Sequence, residues 1–271
     1  MKYYGLLGDK LSHSLSPTIH ESILKELQIN GQYQLFECKR DNLKNKLQDL
    51  KDLGVDGLNV TMPHKVDIME YLDEISEEAK RINAINTISF KDGVTTGYNT
   101  DYYGFGMTLQ REDVSLMNKK ALILGSGGAS KAVVQYLIDN GIGEVVVASR
   151  DASKAKEKYK EFQVINYDKI QGLKDFHMII NTTPCGMFPN INNSPVIKDQ
   201  ISNFDTAIDL IYNPQETLFL KDAKELGLKH INGLYMLVGQ AIKSQEIWND
   251  IKIDQDTCNR IYDNILGLRM N

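Results

Sequence analysis

The chain has 271 residues, a formal net charge of −5, 42% hydrophobic and 25% charged residues, so it can bury a large core and divide into two domains. That balance gives no general attraction for nucleic acid or an anionic membrane, and no apolar run approaches the ~20 residues of a bilayer span. The opening Met-Lys-Tyr-Tyr-Gly-Leu-Leu-Gly lacks the apolar core and cleavage site of a secretory leader, and Cys38, Cys185 and Cys258 lie too far apart to read as a disulfide framework or a zinc site; a cytoplasmic protein with reduced thiols and no metal is expected.

In chain order, residues 3–7 read as a strand ended by Gly8. Ser14-Leu15-Ser16-Pro17 then opens a helix, with Ser16 as N-cap, Pro17 at the first helical position, and Ile19, Ile23, Leu24 and Leu27 on one stripe. The free amides of that helix start, with the Ser14 and Ser16 hydroxyls, offer a cradle for a small carboxylate or phosphate; plain capping explains Ser16 equally well. A strand at 33–38 and a helix at 41–53 follow, with Asp41 as cap, Leu43, Leu47 and Leu50 as the buried face, and Gly54 as stop. Residues 57–65 read Gly-Leu-Asn-Val-Thr-Met-Pro-His-Lys. Leu58 and Val60 alternate with Asn59 and Thr61, which predicts a short strand with one buried and one polar face. Pro63 stops it and Lys65 leaves from its end, either as a positioned amine or as a solvated lysine opening a helical stretch that runs to about residue 82. Residues 85–90 and 94–98 around Asp92-Gly93 read as a tight hairpin. Asn86 lies in its first strand and Asn99-Thr100-Asp101 follows its second, where ligand-facing residues often sit, though Asn86 and Asp101 also suit turns and caps.

A second unit begins near Tyr102. Residues 120–124 are a compact apolar strand, followed by Gly125-Ser126-Gly127-Gly128-Ala129-Ser130 and a helix to Asn140. Strand, glycine turn and helix, with a β-branched strand at 144–148, predict dinucleotide binding with the pyrophosphate at the helix N-terminus, although Ser130 replaces the usual third glycine. The next residues, Ser149-Arg150-Asp151-Ala152-Ser153-Lys154, favour NADP, because Arg150 and Lys154 can pair with a 2′-phosphate. Asp151 either caps the helix 152–162 or repels that phosphate. Strands at 178–181 and 206–210, a helix at 217–226 and a strand at 229–231 continue a parallel, doubly wound sheet. The run from Asn232 to Gln240 turns into a long helix through Trp248, and a helix at 257–266 closes the chain. Since the cofactor sheet already looks complete by Ile231, these last helices are expected to cross back to the first domain.

Ser-Leu-Ser-Pro at 14–17, Asn-Val-Thr-Met-Pro-His-Lys at 59–65, Asn86-Thr87, Asn99-Thr100-Asp101, Gly-Ser-Gly-Gly-Ala at 125–129, Asn181-Thr182-Thr183-Pro184, Asp209 through Pro214 and Gly233 through Gln240 together resemble the shikimate dehydrogenase family. The likeness runs over essentially the whole chain, with the motifs in the family's order. It departs at Ser126, where alanine is usual, and at Ser149-Arg150-Asp151 with Lys154, where Asn-Arg-Thr and an arginine are usual. The resemblance implies an α/β protein of two domains with a cleft between: residues 1–101 with 237–271 as a substrate domain on a mixed sheet, and 102–236 as a Rossmann-type NADP-binding domain. It also implies a reversible, NADPH-dependent reduction of 3-dehydroshikimate to shikimate in aromatic amino acid biosynthesis, by a monomer or homodimer. Carried over by position, Lys65 and Asp101 are the catalytic pair. Ser14, Ser16 and Tyr212 would hold the substrate carboxylate, and Thr61, Asn86 and Gln240, with the catalytic pair, the ring hydroxyls. Gly125, Ser126, Gly127, Gly128 and Ala129 would cradle the pyrophosphate and Ser149, Arg150 and Lys154 the adenosine end, with Thr182, Leu210, Gly233 and Met236 along the rest of the cofactor and Glu77 an acidic residue near it. Two rivals share these features: an NAD-using quinate/shikimate dehydrogenase, and a non-enzymatic metabolite sensor of the same fold, against which the retained Lys65 and Asp101 argue.

Overall fold

Buried apolar strands interleaved with amphipathic helices build two sheets, each with its own core. The computed structural model describes residues 1–12 and 14–270. It separates into two units, Met1–Gly104 with Val238–Asn271, and Phe105–Leu237.

In the first unit the elements are β1 (Lys2–Gly8), α1 (Ser16–Glu26), β2 (Gly31–Glu37), α2 (Leu43–Asp52), β3 (Gly57–Val60), β4 (Glu74–Ile75), α3 (Glu77–Ile82), β5 (Thr87–Lys91) and β6 (Val94–Tyr98). The sheet order is β2-β1-β3-β5-β6-β4. β1 pairs parallel with β2 and β3, whereas β5 is antiparallel to β3 and β6. The mixed order follows from connection length: helices bridge the parallel neighbours, while β5 and β6 are joined by Asp92-Gly93 alone, with Lys91 opposite Val94 and Asp92 at φ 52°. One face of the sheet packs Leu7, Leu58 and Ile88 against Leu43, Leu47 and Leu50 of α2. The other packs Tyr4, Leu6 and Tyr33 against Leu24 of α1 and Trp248. Trp248 stacks on Tyr4 at 4.9 Å and donates its indole N–H to the Ile88 carbonyl at 2.9 Å, so its polar edge is satisfied inside the core.

Four local expectations are corrected. Ser16 is not the N-cap: the cap position is Leu15, and the Ser16 amide donates to Ser14 Oγ at 3.2 Å. Asp41 does not cap α2 either; it lies in a 3₁₀ turn, Arg40–Asn42, that feeds the helix. The stretch after Lys65 is not one helix but a 3₁₀ turn (Asp67–Tyr71), the edge strand β4 and α3. β4 forms because its backbone pairs with β6, Glu74 opposite Thr96, a non-local partner that helical propensity does not register. Asn86 lies just ahead of β5 rather than within it.

The second unit begins within α4 (Thr100–Arg111) and contains β7 (Lys120–Leu124), α5 (Gly128–Asp139), β8 (Glu144–Ala148), α6 (Ala152–Lys158), β9 (Gln163–Ile165), β10 (Met178–Asn181), α7 (Lys198–Ile201), β11 (Thr206–Asp209), α8 (Leu218–Glu225) and β12 (Lys229–Ile231). Its sheet is parallel throughout, in the order β12-β11-β10-β7-β8-β9. Strands covered on both faces read as continuous apolar runs, and Leu122, Leu124, Val146, Ile179 and Ala207 are all buried. The order reverses between β7 and β10, the switch point where ligands gather in such sheets. α6 stops at Lys158, short of the expected 162, and β9 takes up the next residues by pairing with β8. The chain returns to the first unit within α9 (Leu234–Asn249) and ends in α10 (Gln255–Met270), which packs against α1. Among the described residues no helix is long and apolar enough to cross a membrane, and no His, Cys, Asp and Glu side chains gather as a metal site.

Candidate active site

Lys65 stands in a turn held at several points. The Thr61 amide donates to the Leu7 carbonyl, the His64 amide to the Thr61 carbonyl, and the Lys65 carbonyl accepts from the Ile85 amide at 2.9 Å. From that frame Lys65 Nζ donates to Asp101 Oδ2 at 2.6 Å, with 23% and 18% of the two side chains exposed. This is no solvated surface lysine. Asp101 lies in the first turn of α4, where the helix dipole favours a negative charge. Its second oxygen accepts from Asn86 Nδ2 at 2.9 Å.

The orientation of Asn86 is itself determined. Its amide oxygen accepts from the Thr100 backbone N–H at 2.6 Å and from the Thr100 and Thr87 hydroxyls at 3.1 Å each. Three donors on one oxygen leave the NH₂ to face Asp101. Gln240 joins from α9, its Oε1 lying 3.4 Å from Thr100 Oγ1. Asn99 has a structural part: its side chain accepts from the Tyr102 amide at the start of α4 and donates to the Ala84 carbonyl.

Ser14 and Ser16 meet through the Ser14 Oγ contact at the start of α1. The Tyr33 hydroxyl is pushed well above its ordinary range by burial and donates to Asn59 Oδ1 at 2.8 Å. Tyr33 stacks on the buried His20 at 4.1 Å, and burial holds that imidazole down at about 3, hence neutral. Thr61 is half-buried, with its methyl against Gly8. Glu77 departs from the group: it is 77% exposed and pairs with Lys80 of its own helix at 2.7 Å. Tyr212 follows β11 and is half-buried in the second unit.

In the second unit the turn between β7 and α5 begins at Gly125, φ 103°, whose N–H donates to the Ala148 carbonyl. A Cβ on Gly127 or Gly128 would meet no atom of this chain, so open space lies at the N-terminus of a twelve-residue helix, where backbone amides can face an anion. Ser130, at the third glycine position, is buried and spends its hydroxyl on the Gly127 carbonyl at 2.7 Å and on Tyr159 at 2.6 Å. Ser149 Oγ accepts from the Asp151 amide and lies 3.5 Å from Ser126 Oγ. Asp151 caps α6, accepting from the Lys154 amide at 3.0 Å, which leaves Arg150 and Lys154 as exposed cations beside the turn. Thr182 donates to the Leu124 carbonyl at 2.7 Å and sits against Gly125. Gly233 approaches the Leu210 carbonyl so closely that any Cβ would collide with it, and Met236 is buried in α9.

Sequence reasoning missed several residues here. Lys158 reaches back from the end of α6 to the Ser126 carbonyl at 3.4 Å. Asn59, Thr87, Thr100 and Ser244 form a buried hydroxyl and amide cluster behind Asn86. The available signals were a polar Asn between two apolar strand residues, and Ser244 one helical turn beyond Gln240.

With this geometry established, known proteins supply a comparison. Residues 6–88 match the family described as the shikimate dehydrogenase substrate binding domain, and residues 108–192 the one described as shikimate / quinate 5-dehydrogenase. A shikimate dehydrogenase (NADP(+)) of Clostridium perfringens is 48% identical over 267 residues, 98% of each chain. A solved chorismate mutase/shikimate 5-dehydrogenase fusion protein from Clostridium acetobutylicum superposes with a TM-score of 0.97 at 47% identity, covering 100% of this chain and 99% of that one. The shikimate 5-dehydrogenase of Thermus thermophilus, solved with NADP(H) and shikimate, gives a TM-score of 0.86 at 30% identity over 97% and 99%.

Proposed function

This chain belongs to the shikimate dehydrogenase family, and on that premise we propose how its residues carry the reaction. The reaction is the reversible NADPH-dependent reduction of 3-dehydroshikimate to shikimate, in aromatic amino acid biosynthesis. The NAD-using quinate enzyme and the non-enzymatic sensor are not favoured, since the curated relatives at 40–48% identity are NADP(+) shikimate dehydrogenases.

When bound, the nicotinamide supplies or receives the hydride. Negative charge then gathers on the ring carbonyl oxygen, and a cation that can also release a proton stabilises the transition state where the charge develops. Lys65 does both: its ammonium gives the proton in reduction, and its amine takes one from the alcohol in oxidation. Asp101 aims the ammonium, and Asn86 holds Asp101. Ser14 and Ser16 receive the carboxylate, while Thr61 and Gln240 contact ring hydroxyls; Tyr212 is retained as a carboxylate contact on family position alone. The observation that carries this reading is the 2.6 Å Lys65–Asp101 pair, built on a carboxylate whose other oxygen is already held by Asn86.

The residues of the second unit fit NADP. The space over Gly127 and Gly128 at the α5 N-terminus accommodates a pyrophosphate. Arg150 and Lys154 offer cations for a 2′-phosphate, with Ser149 beside them and Asp151 engaged as a cap. Thr182, Leu210, Gly233 and Met236 would line the remainder. Glu77 is retained as a minor contact, supported by family position alone. A cytoplasmic setting belongs to the same proposal, supported by three free cysteines.

The test is shikimate oxidation followed at the nicotinamide band, with NADP and NAD in parallel and quinate as competing acid. Turnover of shikimate with NADP at least ~10-fold more efficient than with NAD is expected if Arg150 and Lys154 bind the phosphate. No shikimate-dependent signal with either cofactor would overturn the reading.

A further inference from the structure

One buried side chain stands behind the candidate catalytic pair. Asn59 is 5% exposed on β3. Its Oδ1 accepts from the Tyr33 hydroxyl at 2.8 Å. Its Nδ2 faces Thr87 Oγ1 at 3.0 Å, Ser244 Oγ at 2.9 Å and the Asn86 carbonyl at 3.2 Å. The Thr87 hydroxyl donates to Asn86 Oδ1 at 3.1 Å, one of the three bonds that turn the Asn86 NH₂ toward Asp101. Hydrogen bonds therefore run without a gap from Tyr33 through Asn59, Thr87 and Asn86 to Asp101 and Lys65.

We propose that Asn59 is a positioning residue for proton transfer: held by Tyr33 on one side, it sets through Thr87 and Asn86 the carboxylate that aims Lys65. The proposal rests on the functional reading above. Its physical basis is donor direction. Asn59 has an acceptor on one side and donors on the other, so it holds Tyr33 as donor to Oδ1 and Thr87 as acceptor from Nδ2. Removing one bond of a buried polar chain leaves its neighbour to be satisfied otherwise at a cost in free energy, so the loss is felt along the chain. Thr87 lies between Asn59 and the reacting pair, and its hydroxyl bonds Asn59, Asn86, Thr100 and Ser244 rather than Lys65 or Asp101. That hydroxyl can be deleted while the β-branched shape is kept.

The experiment is steady-state kinetics on Thr87→Val, Thr87→Ser and Asn59→Asp, with Lys65→Ala as reference and shikimate binding by calorimetry. Thr87→Val is expected to lower kcat about tenfold with KM for shikimate changed less than about threefold, and Thr87→Ser to restore kcat. Wild-type kcat in Thr87→Val, or equal loss in Thr87→Val and Thr87→Ser, would overturn the proposal, the latter by assigning the effect to packing. Asn59→Asp keeps the acceptor for Tyr33 but removes the donor to Thr87, so it is expected to lower kcat as Thr87→Val does; wild-type kcat in that variant would also overturn it. The functional reading fails separately, if Lys65→Ala retains normal kcat.

Discussion

A carboxylate with both oxygens occupied, one by Asn86 and one by Lys65, has little freedom to turn away from the ammonium it orients. Positioned proton transfer is worth about 10²- to 10⁴-fold, so Lys65→Ala is expected to lower kcat by at least ~10²-fold with a smaller change in KM; near-wild-type turnover would remove this lysine from the mechanism. Ser14 and Ser16 act at the other end, far in bonding terms from the reacting carbon. Their alanine variants should raise KM for shikimate and leave kcat within a few-fold, and an unchanged KM in both would count against the carboxylate cradle. For Arg150, deletion of one charge-assisted contact should weaken NADP by about tenfold while NAD is little affected, measured by cofactor titration of Arg150→Ala. Lys65, Asp101, Asn86 and the serines stood out in the sequence as candidates at element ends, with solvated, turn or cap roles equally open there, and their proposed roles came from the family resemblance. Asn59 and Lys158 did not stand out, because their roles depend on partners brought together by the fold.

At the scale of elements, the parallel sheet of the second unit was read nearly strand for strand, since β-branched runs and glycine stops carry that information locally. The stretch after Lys65 was misread because β4 exists only through β6. Ser16 and Asp41 suit caps by residue type, yet Leu15 and Asn42 hold the cap positions without a side-chain cap bond, and the Ser16 amide donates to Ser14 Oγ. Gly233 shows an element junction governed by approach rather than by turn conformation. Its amide donates to the Ile211 carbonyl at 3.0 Å, and a Cβ there meets the Leu210 backbone, which cannot swing aside as a side chain can. Gly233→Ala should therefore destabilise the protein by ~1–3 kcal/mol, the usual cost of overpacking, read as a lowered urea midpoint; an unchanged midpoint would mean that the β11 end moves freely.

For the whole molecule, two buried titratable groups give stability opposite pH dependences. His20, held at about 3 by burial, binds fewer protons folded than unfolded, so its contribution is complete above pH ~6.5 and is lost as pH falls toward 3. Asp209 is raised to about 7 by burial despite donors from Thr217, Ile211 and Asn181. It binds more protons folded than unfolded, so its contribution is complete below pH ~4 and is lost as pH rises through 7. Each slope reaches at most about 1.4 kcal/mol per pH unit. Urea unfolding of Asp209→Asn between pH 4 and 7 should accordingly show a more positive slope of stability with pH than the parent; identical slopes would mean that the parent carboxylate is ionised across that range. The sequence by itself determined the fold class, the order of strands and helices, the glycine turn and the residues eligible for chemistry, because periodicity, caps and turn residues act over a few neighbours. Only the tertiary structure decided that Lys65 meets Asp101, which way Asn86 faces, that Asn59 stands behind them through Thr87, and that β4 is a strand, because hydrogen-bond direction and burial depend on groups distant along the chain.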